Sequence, residues 1–139
     1  MPISLKQNTD GSMGLRGIDP SGQGEFTFSD MRWAPVSVSG PSFVASRDYV
    51  LKDLTANVEV AGTDAGAVTA VIYMAPSGTA LAAGTALHTG TINLKGTAAT
   101  NQALATSGTR IPAGYRVGIV FTGVLTAAVG CVTAAMAPA

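Results

Sequence analysis

From Gly24 onward the apolar residues of this chain recur at every second position, in short runs cut by Gly and Pro. No window carries the i, i+3, i+4, i+7 stripe of an amphipathic helix. Period two is the side-chain spacing on one face of a β-strand. The clearest run is 52–60, where Leu54, Ala56, Val58 and Val60 share a face and Lys52, Thr55, Asn57 and Glu59 lie among the polar positions. Its phase slips once, near Asp53. Val68, Ala70, Ile72 and Met74 then alternate with Thr69, Val71 and Tyr73, a strand buried on one face and half-buried on the other. Gly62-Thr63-Asp64-Ala65-Gly66 separates the two runs, and they are expected to pair as a hairpin.

The same reading extends in both directions. Phe26 and Phe28 alternate with Glu25, Thr27 and Ser29 and are expected to anchor a first strand in the core. Val36 and Val38, alternating with Ser37 and Ser39 ahead of Gly40-Pro41, give a second. Further strands are expected at 86–94, 98–105, 115–121 and 128–136, between breaks such as Lys95-Gly96, Ser107-Gly108 and Pro112-Ala113-Gly114. Ala is abundant, but Thr, Gly and Val interrupt its runs too often for a helix. Short strands with turn signals about every ten residues describe an all-β chain, an antiparallel β-sandwich.

The chain's 139 residues suffice for one such domain, placed at 25–139. Residues 1–24 carry Asn8-Thr9-Asp10-Gly11, Gly14, Gly17, Asp19-Pro20 and Gly22-Gln23-Gly24 with few apolar residues, and read as an extended N-terminal arm without a core of its own. Such an arm is either a free terminus or a segment that orders on a partner. Met-Pro-Ile-Ser-Leu-Lys leads into a polar stretch rather than the apolar centre of a signal peptide. Val117 to Ala137 is 21 residues without a charge, long enough to span a bilayer as a helix. Three glycines, three threonines, β-branched apolar residues and the lack of an anchoring flank instead make it two consecutive buried strands, with no membrane partner expected.

Composition narrows the function. Ala, Gly, Thr and Ser make up 66 residues, charged residues are 12%, and eight basic side chains balance eight acidic ones. A neutral chain of this kind is not a general nucleic-acid binder, since phosphate binding needs clustered Lys and Arg. All eight acids lie within residues 1–64 against five bases there, and residues 65–139 hold only Lys95, Arg110 and Arg116. Either this is a bland solvated surface of Thr, Ser and Ala, or it is a surface that lies against other protein, where few charges need desolvating.

Catalytic chemistry has little to work with. One Cys and one His exclude a disulfide framework and a Cys/His metal site. His88, within an expected strand, reads as a surface or half-buried structural residue, and Cys131, between Gly130 and Val132, as an inert core residue. Asp10, Asp19 and Asp64 sit in turns, while Asp30, Asp48, Asp53 and Glu59 read as strand edges and solvent faces. Asn8, Asp10 and Gly11 resemble the start of a calcium loop that lacks its remaining acidic ligands. The expectation is a protein that is not an enzyme and takes no cofactor or metal.

Binding surfaces are the better prospect. Phe26, Phe28 and Trp33 cluster with Met31 and Arg32, and Trp and Arg are enriched at interface hot spots, although the same aromatics would also serve as core. The candidate partner-contact residues are Leu5, Met13, Leu15, Arg16 and Ile18 of the arm, with Met31, Arg32 and Trp33.

Four features together resemble a known family. A Gly-rich arm precedes Arg47-Asp48-Tyr49-Val50-Leu51-Lys52-Asp53-Leu54. Ala83-Gly84-Thr85-Ala86-Leu87 and Ile111-Pro112-Ala113-Gly114-Tyr115-Arg116-Val117-Gly118 follow, and the C-terminal strand is rich in Ala, Val, Thr and Gly. The chain is similar in this to the jelly-roll cement, or head decoration, proteins of tailed and especially short-tailed bacteriophages. That resemblance implies a jelly-roll sandwich on the outer surface of the virion, bound to the major capsid protein and joining neighbouring capsomers against internal DNA pressure. It implies self-association as well, as a homodimer rather than a trimer, and carries no catalytic residues. The alternative is a receptor- or carbohydrate-binding sandwich module of a phage tail fibre.

Overall fold

The computed structural model describes residues 17–18, 25–106 and 108–139. Its strands are β1 (Gly17–Ile18), β2 (Glu25–Trp33), β3 (Gly40–Val44), β4 (Tyr49–Val60), β5 (Thr69–Ala75), β6 (Thr85–Ala86), β7 (Ile92–Asn93), β8 (Thr100–Ala103), β9 (Arg110–Ile111), β10 (Arg116–Thr122) and β11 (Val129–Pro138). A single 3-10 turn, Leu81–Ala83, is the only helical element among the described residues. The fold is all-β, as the period-two pattern requires.

Two antiparallel sheets face each other. Sheet 1 runs β1-β2-β11-β4-β8, with β9 also on β4, and sheet 2 runs β3-β10-β5-β6, with β7 also on β5. The pairings are nested. β2 pairs with β11, β3 with β10, β4 with β8 and β9, and β5 with β6 and β7, so the chain behaves as one long hairpin. Rolling that hairpin brings β11 beside β4 and β10 beside β5, with β2, β4, β8, β9 and β11 in sheet 1 and β3, β5, β6, β7 and β10 in sheet 2. This is the jelly-roll strand order.

The rolled topology overturns the expected hairpin of 52–60 with 68–74. β4 lies in sheet 1, held by β11 and β8, and β5 lies in sheet 2, so the loop between them crosses from one sheet to the other. β4 needs partners on both sides for its long backbone ladder, and chain neighbours in this fold cannot supply them. Its phase slip near Asp53 is real, however. Ala135 faces Asp53 while Met136 faces Leu51, which leaves Lys52 as the extra residue of a β-bulge. A second irregularity near Glu59 turns Val60 outward, where it is 44% exposed.

The core lies between the sheets. Leu51, Leu54, Ala56 and Val58 of β4 meet Ala70 and Ile72 of β5, Val117 and Ile119 of β10, and Val132, Ala134 and Met136 of β11. Leu87, Ile92, Leu94 and Ile111 fill the ends from short strands and loops. β2 corrects the sequence reading of its own phase. Met31 and Trp33 point inward, and Phe28, of opposite parity, is 65% exposed on the outer face. Trp33 fixes this phase because Gly130 on β11 leaves the space its indole occupies; a Cβ there would collide with the Trp33 ring and with the Asn57 carbonyl. The 86–94 run is likewise split, into β6 and β7 around a bend at 87–90. Within the segment expected as an arm, Gly17 and Ile18 pair antiparallel with Phe26 and Glu25 at the edge of sheet 1.

Candidate functional site

His88 is the first residue to test for chemistry. It is 7% exposed and uses both ring nitrogens. Nε2 accepts the Ile72 backbone N–H at 3.1 Å, and Nδ1 lies 3.1 Å from the Thr89 carbonyl, to which it donates. These two bonds fix one neutral tautomer. The reason for the ring is visible in the backbone: β6 pairs with β5 at Tyr73 and Met74, and the Leu87 N–H continues that ladder to the Ile72 carbonyl at 2.9 Å. At His88 the chain turns away, and the imidazole supplies the acceptor that the departing backbone no longer presents. The groove beside it, about 360 Å³, is lined by Ala86, Leu87, His88, Thr89, Ala105, Thr106 and Thr109, with no carboxylate among them. A histidine committed in this way is a piece of the sheet.

The carboxylates are structural in the same sense. Asp48, at the corner between β3 and β4, accepts Arg110 Nη2 on Oδ2 at 2.5 Å and the Ala113 N–H on Oδ1 at 2.8 Å. The Ala113 hydrogen bond, and then the Arg110 bond and charge, hold its carboxyl below the ordinary aspartate range. It staples the turn after β9 to the start of β4. Asp64 Oδ2 accepts the Gly66 N–H at 3.2 Å, Asp53 Oδ1 the Leu54 N–H at 2.9 Å, and Asp30 Oδ1 the Thr133 hydroxyl at 2.9 Å. Among the described residues no group of three or more His, Cys, Asp or Glu side chains is placed to hold a metal ion. Asn8 and Asp10 lie outside the described residues.

Cys131 departs from expectation. It is half-buried on the outer face of sheet 1, opposite Arg32 on one side and Asn57 on the other, because β11 turns Gly130, Val132 and Ala134 inward.

The candidate partner-contact residues divide. Leu5, Met13, Leu15 and Arg16 lie outside the described residues, and Ile18 is in β1. Arg32 is exposed on the outer face of sheet 1. Met31 and Trp33, at 0% and 2% exposure, are core residues and cannot touch a partner docked on the folded domain. The parity of β2 sets them on the face opposite Arg32, and the space above Gly130 makes that face the inner one.

What the sequence reading missed is the 34–39 loop. Val36 and Val38, expected in a strand, are 90% and 83% exposed. Ala34-Pro35-Val36-Ser37 is a β-turn, closed by the Ser37 N–H on the Ala34 carbonyl and by Ser37 Oγ accepting the Ala34 N–H, both at 2.9 Å. Ser39 Oγ then takes the Phe121 N–H at 2.8 Å, which ties the loop to β10. Pro35 at the second turn position was the available signal. Val124, in the loop after β10, is also exposed, at 59%. The loops around 62–66 and 123–128 are linked by the Thr63 N–H on the Thr126 carbonyl at 2.9 Å, which ties down the loop that carries Val124.

A scan against protein-family models found no match, and neither did a search of curated proteins. Among solved structures the chain is similar to a protein of the Bacillus endospore appendages, which form a family of disulfide-linked pili. The identity is 18% over 85% of this chain and 93% of that chain, with a TM-score of 0.39.

Proposed function

We propose that this protein is a non-catalytic structural component of a bacteriophage virion, a cement protein that binds the outer surface of an expanded capsid and joins neighbouring capsomers. The observation that carries this reading is the distribution of charge over a rigid sandwich. Sheet 1 displays Asp30, Arg32, Lys52, Asp53, Glu59 and Arg110, while the strands of sheet 2 contribute Arg116 alone. Interface cores are depleted in charge because desolvating it is costly. A side with so little charge is suited to lie against protein. The jelly-roll strand order is also what the resemblance to phage cement proteins implies.

The partner in this reading is the major capsid protein, and the chain pairs with itself as a dimer. Many copies on a lattice add avidity, so each contact can be modest. His88 and the carboxylates, bound into turns and ladders, support a scaffold in preference to a hydrolase. The test is the molar ratio of this chain to the major capsid protein in purified particles, by quantitative mass spectrometry. A ratio near one, or another simple large fraction, is expected. A few copies per particle would move the role to a tail-fibre module, and absence from particles would end the virion reading.

A further inference from the structure

Among the described residues, β2 is the one long strand with an unpaired side. From Thr27 to Trp33 it is bonded to β11, while its other side meets only Gly17 and Ile18 of β1, at Phe26 and Glu25. β4, β5, β10 and β11 each have partners on both sides. The other edges are blunted: β3 carries Pro41 and a bulge at Ser42, β6, β7 and β9 are two residues each, and β8 is four. β2 has nine residues with no proline and no lysine. Its outer face is apolar at one point. Phe28 is 65% exposed, and on the β11 side it stands opposite only Ala135.

We propose that residues 12–16 continue β1 along this edge, so that the chain's own N-terminal segment straps the open side of sheet 1. The register follows from β1. Each residue back from Gly17 advances one position from Phe26 along β2, which sets Arg16 opposite Thr27, Leu15 opposite Phe28, Gly14 opposite Ser29, Met13 opposite Asp30 and Ser12 opposite Met31. Directly opposite side chains of an antiparallel pair share a face. Leu15 and Met13 therefore fall outward, Leu15 against the uncovered ring of Phe28, while the small Gly14 and Ser12 fall inward. A slip of one residue would turn Leu15 to the inner face, opposite Ser29 or Thr27, and leave Phe28 opposite Arg16 or Gly14. The strap ends near Gly11, because Asp10 would fall inward beside the buried Trp33, where an unpaired carboxylate is costly. A strand from a second copy is the weaker occupant, since it would have to displace β1 or stop short of it, whereas residues 12–16 are already delivered to the edge in the antiparallel sense. The proposal does not depend on the capsid reading. It makes Met13 and Leu15 part of the outer face of sheet 1.

NMR of the full chain tests this without any capsid protein. Cross-strand nuclear Overhauser contacts between residues 12–16 and 27–31 are expected in the register of Leu15 with Phe28. Slow hydrogen exchange is expected at the β2 amides that point away from β11. Leu15→Asp removes the apolar contact and sets a second carboxylate diagonally across from Asp30. It should speed exchange at those amides by about fivefold or more and leave the β2 amides bonded to β11 unchanged. Edge amides that exchange like those of an unstructured peptide, contacts in another register, or no response to Leu15→Asp would each overturn the proposal. Contacts between chains in a mixture of labelled and unlabelled protein would overturn it too, by giving the edge to a second copy.

Discussion

His88→Ala tests whether a side chain is standing in for a strand. Ile72 sits in the middle of β5, with its carbonyl taken by the Leu87 N–H and its N–H taken by His88 Nε2. Without the ring, that buried N–H loses its acceptor, at a cost of about 1–3 kcal/mol. The adjoining groove lets water reach part of the space, which limits the penalty, and the lost packing of a buried ring adds to it. The sum is about 2 kcal/mol. For a domain of this size the unfolding entropy is about 0.24 kcal/mol/K, so Tm should fall by roughly 8 °C. Urea unfolding followed by circular dichroism should show a lower midpoint with an unchanged slope. His88→Gln, which can offer an amide oxygen at the same place, should recover part of the loss. Equal stability of wild type and His88→Ala within about 0.5 kcal/mol, or a His88→Gln variant as weak as His88→Ala, would refute the reasoning.

Three further outcomes are expected. Gly130→Ala should destabilise by about 1–3 kcal/mol, since its methyl group meets the Trp33 ring and the Asn57 carbonyl; calorimetry reads this as a lower Tm. Asp48→Asn should flatten the acid side of the stability profile. Because the folded carboxyl lies below its ordinary value, Asp48 contributes stability above the unfolded pKa of 3.8, and that contribution is lost as pH falls through the folded value. Thermal melts of both proteins from neutral pH downward should therefore converge in acid. Val36→Ser with Val38→Ser should change stability by less than about 0.5 kcal/mol, because both side chains are already in water; a loss of several kcal/mol in a urea titration would return them to the core.

The strands were legible in the sequence to the extent that one face is buried. β5 and β11 alternate because each lies mid-sheet with one side against the core, and β4 does so on either side of its slip. The slip at Asp53 even located a bulge. Partnership was not legible, because period two states which face is buried and is silent on which strand lies alongside. The 62–66 turn therefore looked like a hairpin when it was a crossing between sheets. β2 was misphased because Phe28 and Met31, both strongly apolar, have opposite parity, and only the space above Gly130 decides between them. The structural role of His88 depends on Ile72, sixteen residues away, and no local pattern announces it. The charge-poor half of the chain was plain from its composition; that it divides between the sheets, with β5, β6, β7 and β10 in one and β8, β9 and β11 in the other, needed the topology.

Nested pairing also sets a timetable. β11, made after every other strand of the sandwich, is the strand between β2 and β4 in sheet 1. Those two strands are synthesised long before it and cannot join through it until it emerges. At roughly 5–20 residues per second, the interval from Val60 to Val129 leaves their inner edges open for several seconds or more. A nascent chain with two unsatisfied edges is exposed to its neighbours on the same message. Its yield in the cell should therefore depend on how quickly the final strand arrives, apart from how stable the finished sandwich is.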